Sequence, residues 1–324
     1  MIFDCHSDIW TDVTIRTLNG ENDILNRYHL NKLKKGNVSG SIFVIWIDPP
    51  HTDEPYRRSM EIVDSIKKEM EFCKDSFLIA KSYSDIEKAV KENKFYAFIG
   101  LEGLSSIGEN LNLIDYFYDF GARHASLTWN EENKLATGVK GNPNRGLTDL
   151  GKKAVKKINA KKMILDVSHL NEKSFWDLTY EAQGPIIASH SNSRALCDVP
   201  RNLTDKQLKK IAELDGVVGL NSFNQFVHKD LDKQNIKVFV NHIEHMAEVM
   251  GIDHIGIGMD YCDFLDDSSM NSFSEQENSF TIGLEDASKT SDLLNEMEKV
   301  GFSKVDIEKV AYKNFHRIIK NVIG

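Results

Sequence analysis

Short apolar runs rich in β-branched and aromatic residues recur along the chain, separated by longer stretches whose apolar positions return every three or four residues. The short runs read as strands and the longer ones as amphipathic helices. Eight strands are predicted, at Ile2–His6, Gly40–Ile47, Tyr96–Leu101, His124–Trp129, Met163–Ser168, Pro185–Ser189, Val217–Ser222 and Ile255–Asp260. Helices are predicted over Asp23–Lys34, Tyr56–Lys74, Asp85–Glu92, Asn112–Phe120, Asp149–Asn159, Glu172–Tyr180, Asp205–Leu214, Lys237–Met250, Ala287–Lys299 and Lys304–Lys320. Two starts carry capping-box sequences, Ser84-Asp85-Ile86-Glu87 and Thr204-Asp205-Lys206-Gln207. In such a box the hydroxyl and the side chain three residues on satisfy amides that the first turn leaves unpaired.

Strand–helix alternation implies parallel strands joined by right-handed crossovers, and eight such units close into an α/β fold, the (β/α)8 or TIM barrel. The competing open, doubly wound sheet would carry a glycine-rich phosphate loop after its first strand. Asp4-Cys5-His6-Ser7-Asp8 stands there instead. No linker, repeat or low-complexity tract divides residues 1–324, so a single barrel domain is expected. The irregular sequence follows the strands, in Ile9–Asn22, Asp48–Pro55, Asn130–Thr148, Ser191–Thr204, Asn224–Asn235 and Cys262–Asp286. A barrel builds its site from these strand-to-helix loops.

The composition, 41% hydrophobic and 27% charged, is that of an ordinary globular protein. The net charge is -9 and Lys and Arg are scattered, which leaves no nucleic-acid footprint and favours a small soluble substrate. Cys5, Cys73, Cys197 and Cys262 lie far apart with no Cys-x-x-Cys pair, as expected of reduced thiols in a cytoplasmic protein. Met1 runs directly into the first apolar run and no 18 consecutive apolar residues occur, so neither export nor membrane anchoring is expected.

The candidate chemistry gathers at the predicted strand ends. His6 and Asp8, two apart on a strand, point the same way and offer nitrogen and oxygen ligands to a divalent metal. Glu102 follows the third strand, His169 the fifth and His190 the sixth, and Asp260 ends the eighth. Five of eight strand ends thus carry a His or an acidic residue, though such residues make up fewer than one in five of the chain. Three His, one Asp and one Glu exceed the needs of one tetrahedral ion and suit two ions about 3.5–4 Å apart sharing a carboxylate and a water. Glu102 is the expected bridge. Two such cations drive the shared water towards hydroxide and polarise a carbonyl, so the implied reaction is hydrolysis. Asp260 is placed to take the hydroxide proton and return it to a leaving amine. Hydroxyl residues in Asp166-Val-Ser-His169 and Ala188-Ser-His-Ser191 could orient the imidazoles. Tyr261 and Phe223 are candidate pocket walls. His242 and His245 are expected on a solvated helix face, and His124 and His254 in structural roles.

These residues also carry a resemblance. His6-Ser-Asp8, Gly100-Leu-Glu102-Gly103, Asp166-Val-Ser-His169, Ser189-His190-Ser191, Pro200-Arg201-Asn202, Gly258-Met-Asp260 and Gly283-Leu-Glu-Asp-Ala-Ser288 resemble, in order and spacing, the renal (membrane) dipeptidase family of binuclear zinc peptidases. The resemblance implies zinc ligation by His6, Asp8, Glu102, His169 and His190, acid–base work by Asp260, and capture of the substrate carboxylate by Arg201. It also implies tolerance of a D-residue at the carboxyl-terminal position of a dipeptide, and a homodimer is compatible with it. A guanidinium fork matches a carboxylate and selects peptides short enough to present one there. Two positions depart from the family. Trp129, in Thr128-Trp129-Asn130, stands where mammalian members carry a His that steadies the tetrahedral intermediate, and Tyr261-Cys262-Asp263 replaces a frequent Phe-Asp-Gly. Trp129, Asn130 and Phe223 are therefore expected to meet the substrate. Another amide or lactone hydrolase on the same metal barrel, and a non-catalytic binding barrel, stay open as alternatives.

Overall fold

The computed structural model describes residues 1–270 and 279–324. Part of the predicted loop Cys262–Asp286 falls outside the described residues. Among the described residues nine parallel strands form the sheet: β1 (Ile2–Ser7), β2 (Val38–Trp46), β3 (Phe77–Ile79), β4 (Phe95–Glu102), β5 (Ala122–Ser126), β6 (Ile164–Asp166), β7 (Ile186–Ala188), β8 (Val217–Leu220) and β9 (Ile255–Ile257). Eight of them close into a barrel, with β2 paired along β4 from Gly40↔Tyr96 to Trp46↔Glu102 and β9 returning to β1 at Asp4↔Ile257. The expected (β/α)8 barrel is the fold.

Both faces of the strands are buried, which is why the strand sequences read as near-continuous apolar runs. Alternate residues feed two cores. Phe3, Cys5, Ile42, Val44, Trp46, Tyr96, Phe98, Ile164, Ile187 and Val217 belong to the barrel interior, while Ile2, Phe43, Ile45, Ala97, Ile99 and Leu101 pack with the surrounding helices. The last helix, Asn314–Val322, stops the amino-terminal end of the barrel. Its Phe315 stacks on Phe3 at 5.0 Å between ring centroids, and His316 Nε2 lies 2.8 Å from Tyr96 Oη.

Several local expectations change. β3 escaped prediction because three apolar residues carry no readable period; it lies outside the ring, against the first half of β4. The predicted loop Ile9–Asn22 contains a helix, Ile9–Leu18, whose buried side includes Thr11, Asp12 and Thr14 and so hides the apolar stripe. Asp23–Lys34 becomes a π-turn at Leu25–His29 followed by a helix at Leu30–Lys35. The helix expected to be capped by Ser84 starts earlier, with Ser82 Oγ accepting from Asp85 N at 3.3 Å. The Thr204 box is complete: Gln207 N donates to Thr204 Oγ1 and Thr204 N to Gln207 Oε1. His242 does not lie on a solvated face. It is fully buried, with Nε2 on the Val227 carbonyl at 2.9 Å and Nδ1 accepting from Ser193 N at 3.2 Å. No helix among the described residues is long and apolar enough to cross a membrane.

Candidate metal centre

Strand geometry decides which side chains meet. His6 lies within β1, and Asp8 begins the helix that follows; Glu102 is the last residue of β4. His169, His190 and Asp260 come two to three residues after β6, β7 and β9, where the chain has left the ladder. His169 and Asp260 take positive φ, 69° and 55°, a conformation that non-glycine residues adopt at a cost of about 1–3 kcal/mol and that clusters at functional sites. All six converge at the carboxyl end of the barrel.

Glu102 stands at the middle. Its Oε2 lies 3.5 Å from His6 Nε2, and its Oε1 lies 2.8 Å from His169 Nε2 and 3.5 Å from His190 Nε2. His6 Nε2 is also 3.8 Å from both Asp8 Oδ2 and Asp260 Oδ1. Two overlapping groups result, His6–Glu102–His190 and His6–Asp8–Asp260, each with its ligand atoms within 4.8 Å of one another. His169 completes the first side through its contact with Glu102. The donor set is nitrogen and carboxylate oxygen, as zinc and its neighbours take. Two of these atoms, His6 Nε2 and Asp8 Oδ1, are buried without a hydrogen-bond partner. Buried polar atoms are rarely left so unless an ion or water belongs there. The residues present fit a bound divalent cation.

The electrostatics agree. Burial, with Asp8 and Asp260 adding to it, pushes Glu102 up to about 8 against the opposing pull of His6. Asp260 is also raised, chiefly by burial. Burial works against charge on His6, but Glu102, Asp8 and Asp260 outweigh it and raise that imidazole well above its ordinary range. His169 and His190 are driven far the other way by burial, with Arg201 and His6 adding to it. Crowded carboxylates held beside neutral imidazoles form an environment whose balance a cation reverses.

Around this centre lies a cavity of about 200 Å³ lined by Asp8, Glu102, His169, Asp260 and Arg201, with Trp46, Trp129, Phe223 and Phe226 among its apolar walls. Arg201 is 7% exposed, and its Nη groups donate to the His190 carbonyl, Ser191 Oγ and His169 Nε2 at 3.0–3.3 Å. Asn130 lines the cavity too, with Oδ1 2.9 Å from His169 Nδ1, so it orients that ring as well. Trp129 packs near His169 and Trp46, at centroid distances of 6.0 and 5.3 Å. Tyr261, a candidate wall, is instead buried with its hydroxyl 3.0 Å from Thr290 Oγ1.

Some members of the site carry no signal in the sequence. Asn221 donates to Asp260 Oδ2 at 2.9 Å; Trp46, Lys140, Phe226 and Cys262 line the cavity. An adjoining cavity of about 360 Å³, lined by Ile47, Thr52, Ser105 and Glu131, shares Trp46, Glu102, Trp129, Asn130 and Lys140 with the first. His124 Nε2 lies 2.8 Å from Asp166 Oδ2, a structural pairing as expected.

Comparison with known proteins gives a consistent answer. The family model described as membrane dipeptidase, peptidase family M19, matches residues 1–323. An uncharacterized protein in the pqqA 5′ region of Klebsiella pneumoniae is 34% identical over 253 residues, 74% of this chain and 87% of that one. An uncharacterized dipeptidase of Schizosaccharomyces pombe is 27% identical over 325 residues, 95% of this chain and 75% of that one. Among solved structures, a metallopeptidase from Rhodobacter sphaeroides bound to a phosphinate mimic of the dipeptide L-Ala-D-Ala superposes with a TM-score of 0.87. It is 22% identical and 99% of each chain is covered.

Proposed function

The chain belongs to peptidase family M19, the membrane dipeptidases, and from that premise we propose that it is a cytoplasmic zinc dipeptidase cleaving the peptide bond of dipeptides, including those with a D-residue at the carboxyl end. One observation carries the reading: Glu102 turns one oxygen to His6 and the other to His169 and His190, inside a cavity that Arg201 and Asp260 also line. His6 and Asp8 on one side, and His169 and His190 on the other, would hold two divalent ions, with Glu102 reaching both. Divalent cations held by these residues would supply a water activated near neutral pH and a Lewis acid for the scissile carbonyl. Arg201 holds the substrate carboxylate and so fixes where the peptide bond lies. Asp260 moves the protons. Its Oδ2 accepts from Asn221, which leaves Oδ1, the oxygen nearer His6, to take a proton from the attacking water and pass it to the leaving amine. Trp129 and Phe223 exclude water and shape the pocket, and Asn130 keeps His169 in place. Tolerance of a D-residue rests on the family resemblance and on the L-Ala-D-Ala mimic held by the Rhodobacter metallopeptidase.

A second reading, an amide or lactone hydrolase other than a dipeptidase, rests on Trp129 standing where a polar group would serve a developing oxyanion. One assay separates them. Dipeptides, N-acyl amino acids and lactones are offered with and without chelator, to the wild type and to Asp260→Asn. Dipeptide turnover that chelator abolishes is expected, with Asp260→Asn keeping its metals and losing about 10²–10⁴ in kcat. Turnover of lactones or N-acyl amino acids alone would replace the dipeptidase reading.

A further inference from the structure

We propose that Asp166 and Ser189 are positioning residues that fix the tautomer of His190, so that its Nε2 stays unprotonated and available to a metal. This rests on the reading of the centre as a metal site. Asp166 receives four donors: Ser168 N at 2.8 Å and Ser189 N at 3.1 Å on Oδ1, and His124 Nε2 at 2.8 Å and Ser189 Oγ at 2.5 Å on Oδ2. A carboxyl group ringed by donors is the ionised, acceptor-only form. The single proton of the Ser189 hydroxyl therefore points at Asp166. Its lone pairs point elsewhere, and His190 Nδ1 lies 2.7 Å from the oxygen. A lone pair at that distance requires N–H on Nδ1, and in a neutral imidazole the other nitrogen is then bare. The remaining lone pair faces Ser168 Oγ and His6 Nδ1, both at 3.5 Å, and commits neither.

The alternative tautomer would harm the site. His190 Nε2 lies 2.8 Å from His169 Nε2, which already accepts from Arg201 Nη2. A proton on His190 Nε2 would compete with Arg201 Nη2 for the single lone pair of His169 Nε2, joining the two rings to each other and closing both to a cation. The belt works against that state, because it would set the bare Nδ1 of His190 against the lone pair of Ser189 at 2.7 Å; the tautomer it favours leaves two bare Nε2 atoms 2.8 Å apart, a pair that a cation would relieve. The belt that enforces this is rigid. His124 sits on β5, Asp166 ends β6 and Ser189 follows β7; all three, with His190, are at most 1% exposed, so water does not compete. Ser189 has no room to shift either, since a Cβ on Gly258 would fall 1.8 Å from its carbonyl oxygen and one on Gly219 would fall 2.2 Å from it.

The test is long-range ¹H–¹⁵N correlation on ¹⁵N-histidine-labelled full-length protein, zinc-loaded and chelated, alongside competition titration of zinc. The wild type should show His190 with its proton on Nδ1 in both states. Ser189→Ala should move that proton to Nε2 in the chelated protein, and both Ser189→Ala and Asp166→Asn should weaken zinc binding about 10–100-fold. A wild-type spectrum with His190 protonated on Nε2 overturns the proposal. So does a Ser189→Ala protein whose tautomer is unchanged and whose zinc affinity lies within about twofold of wild type. If neither variant folds, the wild-type spectrum alone decides. A wild type that binds no zinc and cleaves no dipeptide sinks the metal reading instead, while the tautomer is still read directly.

Discussion

Arg201 donates both Nη groups inside the protein, and its Nε is buried without a hydrogen-bond partner. Such a guanidinium is held in one orientation, and that orientation carries its selectivity: a lysine supplies the charge but not the planar fork. In Arg201→Lys, KM for dipeptides should rise by about tenfold or more with kcat within about threefold, as expected when ground-state and transition-state binding are lost together. Preference for a dipeptide over its carboxyl-terminal amide should fall in parallel. An unchanged ratio of the two would remove Arg201 from carboxylate recognition. Residue type and position point to the chemistry of His6, Asp8, Glu102, His169, His190 and Asp260, because ionisable groups at five of eight predicted strand ends are improbable unless they serve one site. Of the groups that orient them, Asn221 carries no signal, Ser189 is legible only as one of several hydroxyls beside the imidazoles, and Asn130 is expected to meet the substrate, with no sign that it also holds His169. Serine and asparagine occur anywhere on a surface, and what distinguishes these three is a partner that sequence does not name: an aspartate 23 residues back, another 39 residues on, and a histidine 39 residues on.

Elements were legible where their period was clean. The Asp205–Glu213 helix announced both its start and its buried stripe, with Leu208 and Ile211 inward and Thr204 capping. Thr204→Ala should lower stability to urea by about 1 kcal/mol and leave dipeptide turnover untouched, since only helix-end amides lose a partner. A loss of activity at equal stability would tie that helix to the site. The Ile9–Leu18 helix looks like loop in the sequence because its inward face mixes Ile9, Trp10 and Val13 with Thr11, Asp12 and Thr14. Two of those polar groups are satisfied within the fold, Thr14 Oγ1 by the Trp10 carbonyl and Asp12 by Arg16 and by His29, and the pairing of Asp12 with a histidine 17 residues on leaves no trace in a window of sequence. β3 was invisible for the opposite reason, three residues being too few to show any period.

At the scale of the whole molecule, two histidines away from the site couple the fold to pH. Burial pushes His242 and His316 from the ordinary 6.5 down to about 4, so the folded chain keeps both neutral while the unfolded chain takes up protons below 6.5. Each therefore withdraws about 1.4 kcal/mol of stability per pH unit as pH falls through that window. Asp4, pushed up to about 7 by burial, acts in the opposite sense, since the folded chain gains its proton first. The measurable quantity is thus a difference. With chelator present, stability of the wild type should fall relative to His242→Gln by about 1.4 kcal/mol per unit between pH 6.5 and 4. Parallel profiles would show that His242 titrates normally in the folded state.

The pairing of β1 with β9 sets an order of events during synthesis. His6 and Asp8 are made ahead of the rest of their cluster, yet the Ile257 that pairs with the edge of β1, and the Asp260 that completes the cluster, are made some 250 residues later. A nascent chain stalled before β9 carries His6 on a strand with one side unpaired and has no Asp260 beside it. The seam between β1 and β9 is accordingly available only after every other strand of the ring has been made, and the ring cannot close until then.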